Sequence, residues 1–535
     1  MKHLPLAAPP ALSACPAVFG RTSSRRRPWS IAATAAAAAL VLASCGGGGG
    51  GDDGGNGSGS GNGGGNNGGG TGNWSTTGSA AVNASLRIES RDSSAKSAAA
   101  ATASTPASKA GAAAGQGAAA SAAQVVLEAP ARGSLPAASA SGVGIGKRQP
   151  IGIARDVPAA ASVSDTAALL HWVPTARGTQ AAAIRFASAD AVGVRLGVLV
   201  RGLPDGAVLR FHGDVASGEA VESITAEQVR ATIERNLTAG VDDVAAHTVW
   251  SRDFGGGATT LDLEIPAGQA ARSQVALAVP QLSHLVTSAQ SAITKVGQSE
   301  SCNVDVSCDA SYDTQSRSVA LMEFVDRGTT YICTGTLLND AAGSGTPYFL
   351  SANHCISTQS QASTLVTRWF YRSTSCNAGN VNPGTQTVTG GATLLYQADA
   401  TDVSFLRLNA AAPSGALYAG SYFGSVPTGS PMAGIHHPDG DLQKLSIGAM
   451  TGFANCTSNS CTETGDGAFL KLNWQQGTTQ GGSSGSSVLH TLDGKRYVVG
   501  QLLGGVASCT NRGGNDYYGR YEQSYKTALY RWLNP

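Results

Sequence analysis

The chain has 535 residues, which is long enough for two or three domains. Its formal net charge of +1 gives no electrostatic reason to expect a nucleic-acid partner. Only 13% of the residues are charged and 70 are glycine, but most of the glycine and alanine lies in the N-terminal third. Composition therefore separates a low-complexity N-terminal part from a globular remainder.

Residues 1–44 are predicted to be a lipoprotein signal peptide. The basic stretch RTSSRRRPWS precedes an alanine-rich apolar run that ends at Leu42-Ala43-Ser44-Cys45. This tetrapeptide resembles the bacterial lipobox, in which cleavage occurs just before a cysteine that is then lipidated. We therefore expect lipid attachment at Cys45, and Gly46 after it favours the outer membrane. An ordinary secretory signal with a chance cysteine is the alternative.

The next two segments are not expected to bury a core. Residues 45–73 are rich in glycine and are predicted to form a flexible tether. Residues 74–159 are rich in alanine and serine and contain few large apolar side chains, so we expect little folded structure there.

Residues 160–295 are predicted to form a small β-rich domain. The stretch AAAIRFASADAVGVRLGVLVRGLPDGAVLRFHGD alternates apolar residues and is broken by Pro-Asp-Gly, which indicates strand, turn and strand. The stretch ITAEQVRATIERN is typical of a short helix. This domain contains no cysteine and no recognisable catalytic constellation.

Residues 296–535 show many short apolar stretches separated by glycine-rich turns. The stretches SVALMEFV, TTYICTGTLL, PYFLSA, DVSFLRLN and YVVGQLLGG predict strands, and the final YKTALYRWL predicts a helix. This pattern is typical of a mainly β fold, either a barrel or a sandwich. The length of the segment suits two small barrels packed together.

Eight cysteines lie in this segment, and they favour an exported protein with disulfide bonds. They are Cys302, Cys308, Cys333, Cys355, Cys376, Cys456, Cys461 and Cys509. Sequence alone leaves their connectivity open. A metal site is the rival interpretation, but no Cys-x-x-Cys pair or histidine-rich cluster supports it, and we predict no metal and no cofactor.

Three stretches of the same segment carry residues suited to nucleophilic catalysis. His354 follows an apolar strand in YFLSANHC, and Asp402 precedes an alternating strand in DATDVSFLRLN. Ser484 lies in GGSSGSS, with glycine two residues before it and one residue after it. The chain order His, Asp, Ser is that of chymotrypsin-like proteases.

Residues 302–535 resemble the bacterial lysyl endopeptidases, which are trypsin-fold serine proteases that cut after lysine. The resemblance is carried, in chain order, by SCNVDVSC, CTGTLLN, YFLSANHC, DVSFLRLN, IHHPDGDLQKLS, GGSSGSS, GQLLGG and DYYGR. It implies a trypsin-like double β-barrel with a C-terminal helix, preceded by a small β-rich pro-region domain. It also implies protein or peptide substrates and a monomer.

The resemblance and the chemistry together assign the catalytic roles. Ser484 is the expected nucleophile, His354 the base that takes its proton, and Asp402 the carboxylate that orients the imidazole. The amides of Gly482 and Ser484 are expected to form the oxyanion hole.

The resemblance places the specificity pocket around Asp516 in DYYGR. A carboxylate at the pocket base would pair with a basic substrate side chain, and an exposed loop aspartate is the alternative. Backbone groups of Leu503, Gly504 and Gly505 are expected to line the pocket and bind an extended substrate. Leu503 replaces a family histidine, and TGFANCTSNSCTETG lacks a family tryptophan, so arginine stays open as a second target residue.

The resemblance also implies a disulfide pattern of Cys302–Cys509, Cys308–Cys376 and Cys333–Cys355. Elimination then pairs Cys456 with Cys461 across a short loop. His436 and His437 match a family HHP segment and receive no chemical role.

Lys295 lies just before the first cysteine of the segment, where the mature chain of the family begins. Self-cleavage there would give a mature chain from Val296 and would release it from the lipid anchor at the outer membrane. Two other functions remain open. One is a protease with glutamyl or broader trypsin-like specificity, and the other is a catalytically silent surface lipoprotein that binds a partner.

Overall fold

The structure, a computed structural model, describes residues 86–93, 122–131, 144–214, 221–288 and 299–535. The predicted signal peptide, the tether, Cys45 and Lys295 lie outside the described residues.

The N-terminal domain, residues 152–285 together with the strand Ala123–Leu127, consists of two β-sheets with a shared apolar core. The first sheet contains Ala123–Leu127, Val173–Pro174, Thr179–Ser188, Val208–His212, Glu222–Thr225 and Ala258–Pro266. The second contains Gly152–Asp156, Gly193–Gly202, Thr248–Trp250 and Ala276–Leu285. Inward-facing side chains of both sheets, among them Ile184, Phe186, Leu196, Val198 and Leu263, are fully buried against each other. The predicted strand–turn–strand pattern is confirmed.

The helices of this domain lie in its connections. They are Val163–Leu169, Ala226–Thr238, Asp243–Ala246 and Gln269–Ser273, with a 3₁₀ turn at Pro158–Ala160. Ala226–Thr238 is the helix that the sequence predicts. It begins at a capping box, in which the Thr225 side chain accepts a hydrogen bond from the Gln228 amide and the Gln228 side chain accepts one from the Thr225 amide.

The C-terminal domain, residues 299–535, contains two larger sheets with separate cores. The strands of the first are Gln149–Pro150, Val319–Asp326, Thr329–Leu338, Tyr348–Ala352, Val366–Trp369, Gln386–Val388, Ala392–Ala398 and Val403–Leu408. The strands of the second are Arg87–Ile88, Val304–Asp305, Ser421–Tyr422, Pro431–His436, Lys444–Cys456, Cys461–Thr464, Phe469–Gln476, Ser487–Leu492, Lys495–Gly505 and Asn515–Arg520. A small separate pair joins Arg91–Asp92 to Leu417–Tyr418.

Short helices connect these strands, and a longer helical segment ends the chain. The connecting elements are Val306–Cys308, Ala310–Tyr312, Asp313–Ser316, Gln359–Ser363, Asp399–Thr401 and Pro438–Gly440. The terminal segment runs through Tyr521–Ser524, Tyr525–Leu529 and Tyr530–Leu533. The prediction of a mainly β fold with a C-terminal helix is confirmed.

The expectation of little folded structure in residues 74–159 is wrong for several short stretches. Arg87–Ile88 pairs with Ser421–Tyr422, and Gln149–Pro150 pairs with Tyr331 and Ile332, so both add to sheets of the C-terminal domain. The low content of large apolar residues did not reveal these strands. A short strand needs no core of its own when a sheet edge offers unpaired backbone groups.

The two domains share a buried ion pair. The Arg195 guanidinium of the N-terminal domain lies 3.2 Å from the Glu323 carboxylate of the C-terminal domain, and both side chains are almost fully buried. Arg195 also donates hydrogen bonds to the backbone carbonyls of Ser251 and Thr364. Two of these three contacts, those with Glu323 and Thr364, link the domains at a buried point.

Disulfides are confined to the C-terminal domain among the described residues. They join Cys302 to Cys509, Cys308 to Cys376, Cys333 to Cys355 and Cys456 to Cys461. These are the pairs that the resemblance and elimination predict. Bonded cysteines are the expected state of an exported protein.

Candidate active site

Two neighbouring strands bring His354 and Asp402 together. Tyr348–Ala352 and Val403–Leu408 are antiparallel, with Ala352 opposite Val403, so the residues after one strand lie beside those before the other. The Asp402 Oδ2 atom is 2.7 Å from His354 Nδ1, and Oδ1 accepts a hydrogen bond of 2.9 Å from the His354 amide. The carboxylate therefore holds both the ring and the backbone of His354. With the Nδ1 proton directed at Asp402, Nε2 remains the basic nitrogen.

A disulfide fixes the loop that presents His354. Cys355, the next residue, is bonded to Cys333 in the strand Thr329–Leu338. That strand also pairs with Tyr348–Ala352, which leads into His354. The histidine is thus attached to one sheet through both backbone pairing and a covalent bond.

Ser484 lies in a tight turn between Phe469–Gln476 and Ser487–Leu492. The flanking glycines have left-handed backbone angles, with φ of 89° at Gly482 and 80° at Gly485. A Cβ atom at Gly485 would lie 2.2 Å from the Ser351 hydroxyl oxygen. Glycine is needed at this position because the turn lies close to Ser351 and because the backbone angle is left-handed.

Two amides in this turn are available to bind an anion. Among the hydrogen bonds of the described residues, neither the Gly482 amide nor the Ser484 amide acts as a donor. The Gly482 carbonyl accepts a hydrogen bond of 2.8 Å from the Thr334 hydroxyl, which fixes the orientation of the peptide. A pair of free backbone donors beside a hydroxyl is the arrangement that an oxyanion hole requires.

Two buried histidines, His436 and His437, lie beside the turn that contains Ser484. The ring of His436 lies between the hydroxyls of Ser483 and Ser446, at 2.8 and 2.9 Å. His437 Nδ1 lies 2.9 Å from the Asp441 carbonyl oxygen. Burial lowers the pKa of His436 to about 3 and that of His437 to about 4, so both rings are neutral at physiological pH. The sequence indicated a structural rather than a chemical role for these histidines, and the contact of His436 with Ser483 is structural in kind.

Asp516 is fully buried and is not the exposed loop aspartate of the alternative interpretation. Its Oδ2 atom accepts hydrogen bonds from the Trp474 indole at 2.7 Å and the Thr479 hydroxyl at 2.6 Å. No side-chain donor among the described residues reaches Oδ1. A Cβ atom at Gly505 would lie 2.4 Å from Oδ1, so a larger residue at position 505 would collide with this oxygen.

Burial raises the pKa of Asp516 to about 6, although hydrogen bonds from Thr479, Trp474 and the Ala507 amide offset part of this effect. The contacts of Trp474 and Thr479 were not foreseen. Residues 451–465 contain no tryptophan, and the indole that contacts Asp516 comes from the following strand, Phe469–Gln476.

A segment from the low-complexity region lies across this site. The Ser484 hydroxyl donates a hydrogen bond of 3.1 Å to the carbonyl oxygen of Lys147. The amide of Gly146 donates one of 3.2 Å to the carbonyl of Leu503. Because the serine has a single proton, this contact takes the place of a hydrogen bond to His354. No feature of the sequence had indicated that residues 146–147 reach the cleft.

Comparison with known proteins matches most of both domains to one family. Residues 126–286 match the lysyl endopeptidase N-terminal domain, and residues 296–519 match the lysyl endopeptidase C-terminal domain. A lysyl endopeptidase from Pseudomonas aeruginosa is 32% identical over 384 residues, which cover 68% of this chain and 78% of that protein. A crystal structure of a thermostable serine protease, AL20, covers 42% of this chain and all of its own at 13% identity and a TM-score of 0.29, which is too low to bear on the fold.

These matches define the chain as a serine endopeptidase, with proteins as its substrates. It belongs to the lysyl endopeptidase family. The four disulfides and this membership fit an exported protein. Within the described ranges, no helix is both long enough and apolar enough to cross a membrane.

Replacing Gly485 with alanine should abolish proteolysis, because the new methyl group collides with Ser351 and displaces Ser484. Gly494→Ala is the matched control: Gly494 has a similar φ of 75°, but a Cβ atom there has no neighbour within 4 Å. Both variants bear a similar left-handed backbone cost of roughly 1–2 kcal/mol. Hydrolysis of a small ester by each purified variant measures the difference, and equal activities would contradict the collision.

Proposed function

We propose that this endopeptidase cleaves after lysine through an acyl-enzyme formed on Ser484. His354 takes the serine proton through Nε2 as the hydroxyl attacks the substrate carbonyl, and then gives that proton to the leaving amine. Asp402 keeps the ring in the required tautomer and stabilises the imidazolium. The two-point contact between Asp402 and His354 supports these roles.

The developing oxyanion is stabilised by the amides of Gly482 and Ser484. In this proposal they bind the negative charge that appears on the substrate oxygen when the tetrahedral intermediate forms. Their lack of other acceptors among the described residues supports it, because no existing bond has to break first. Water then hydrolyses the acyl-enzyme with His354 acting as base once more.

The buried carboxylate of Asp516 is the observation that carries the proposed specificity. A lysine ammonium entering the cleft would find Oδ1 without a side-chain partner, while Trp474 and Thr479 hold Oδ2 in place. A buried carboxylate repels an acidic side chain, which disfavours glutamyl specificity. The backbone of Leu503, Gly504 and Gly505 forms the wall along which an extended substrate would bind, as the contact of Gly146 with the Leu503 carbonyl suggests.

Replacing Asp516 with asparagine should lower kcat/KM for a lysyl substrate by roughly 100-fold or more. Loss of one partner of a buried charge pair costs about 3–5 kcal/mol, and 1.36 kcal/mol corresponds to tenfold. Asp313→Asn is the matched control, because Asp313 is exposed and pairs with Arg372 at the surface. Steady-state kinetics with a lysyl ester test this, and an unchanged kcat/KM in the Asp516 variant would show that the ammonium binds elsewhere.

The preference for lysine should weaken in acid. Below about pH 6 the Asp516 carboxyl becomes protonated and no longer pairs with the ammonium, because its pKa is raised to about 6 by burial. The ratio of kcat/KM for a lysyl ester to that for an alanyl ester should therefore fall as the pH drops through 6. Taking a ratio removes pH effects on the catalytic steps that both substrates share. A ratio that stays constant from pH 8 to 5 would contradict the assignment.

We further propose that the chain is lipidated at Cys45, held at the outer membrane as a monomer, and released by self-cleavage after Lys295. The match to the family's C-terminal domain begins at residue 296, which supports a mature chain from Val296. Labelling with a palmitate analogue should mark the uncleaved chain, and N-terminal sequencing of the secreted form should begin at Val296. An unlabelled precursor, or an intact 285–302 segment in the secreted form, would contradict this maturation.

A further inference from the structure

The segment from Gly146 to Pro150 crosses the candidate active site with its backbone held on both sides of Ser484. On one side, Gln149 and Pro150 pair antiparallel with Ile332 and Tyr331. On the other, the Gly146 amide donates to the Leu503 carbonyl. The Lys147 carbonyl oxygen lies between these contacts, 3.1 Å from the Ser484 hydroxyl oxygen. The Lys147–Arg148 peptide bond is therefore the one placed at the serine.

Arg148 holds the segment on the side of the bond where a leaving group departs. Its guanidinium forms an ion pair with the Asp326 carboxylate and lies 4.2 Å from the centre of the Tyr331 ring. A third contact of 3.4 Å reaches the carbonyl oxygen of Cys355, next to His354. A side chain with a charge partner, an aromatic face and a backbone acceptor fixes the register of the segment.

The lysine side chain is held much less firmly than the arginine. Lys147 is exposed, and its ammonium makes one contact of 3.4 Å with the Asn459 side-chain oxygen. A single long surface hydrogen bond is worth little, so this contact does little to restrain the side chain. Productive binding would require the side chain to turn toward Asp516. The Lys147 carbonyl oxygen would also have to move to the amides of Gly482 and Ser484, which have no acceptor among the described residues.

The distribution of basic residues along the chain also fits a lysine-specific cut after Lys147. Residues 148–294 contain eleven arginines and no lysine, and this stretch is bounded by Lys147 and Lys295. A protease that cuts after lysine would leave such a domain intact while removing it at both ends. An arginine-cutting enzyme would have many targets inside it.

From these observations we propose that the protein cleaves its own Lys147–Arg148 bond within the same molecule, a conclusion that rests on the proposed lysine specificity. Ser484 Oγ adds to the Lys147 carbonyl carbon and its proton passes to His354. The bond to the Arg148 nitrogen then breaks, and that nitrogen receives the proton and becomes a new N-terminus. Water hydrolyses the ester, which releases the Lys147 carboxylate and restores Ser484.

The experiment follows new N-termini in the full-length, disulfide-bonded chain by mass spectrometry, at two protein concentrations tenfold apart. An N-terminus at Arg148 should form in the wild type with a half-life that dilution leaves unchanged. It should be lost in Lys147→Ala, a substitution of an exposed side chain, and in the inert Ser484→Ala chain. Lys109→Ala, which removes another lysine of the N-terminal region, is the matched control and should still form it.

Two results would overturn this inference without touching the proposed function. In the first, the mature enzyme cuts an added lysyl peptide while the Lys147–Arg148 bond stays intact. In the second, the half-life lengthens tenfold on tenfold dilution, which would mean that one molecule cuts another. Failure of the proposed function looks different, because mature enzyme would then leave the added lysyl peptide uncut.

Discussion

Thr334 joins the two halves of the active site, and the remaining geometry depends on it. Its amide donates a hydrogen bond of 2.8 Å to the Ser484 carbonyl, and its hydroxyl donates one of 2.8 Å to the Gly482 carbonyl. The preceding residue, Cys333, is bonded to Cys355 beside His354. One strand of the first sheet therefore positions a serine turn that belongs to the second sheet. Small errors in this pairing would separate Ser484 from His354, the nucleophile and base that we propose, and backbone contacts and a disulfide reinforce it.

The proposed lysine specificity depends on the Asp516 carboxylate, a charge that is costly to bury. Asp516 is fully enclosed, and its raised pKa records the free-energy cost of keeping it ionised without a cation nearby. A substrate ammonium offsets that cost. Binding of a lysine side chain, which we propose Asp516 selects, therefore stabilises the ionised carboxylate. The hydrogen bonds of Trp474 and Thr479 hold the carboxylate in place until a cation binds.

Sequence predicted those parts of the molecule that local pattern determines, and it failed where distant segments meet. Alternating apolar residues predicted the strands and the stretch ITAEQVRATIERN predicted a helix, because these features depend on neighbours in the chain. The His354, Asp402 and Ser484 motifs were recognisable for the same reason. Residues 146–150 were not, since their structure comes from pairing with a sheet edge nearly two hundred residues away. The partners of Asp516 were missed because no local signal links Trp474 to it.

Mapping of cut sites in a mixed peptide library by mass spectrometry tests the central claim most directly. The enzyme is the mature, disulfide-bonded chain, and the same chain with Ser484→Ala is the control. We predict cuts after lysine that disappear in the Ser484 variant. Cuts that fall mainly after other residues, or that persist without the Ser484 hydroxyl, would contradict the assignment of Asp516 or of the nucleophile.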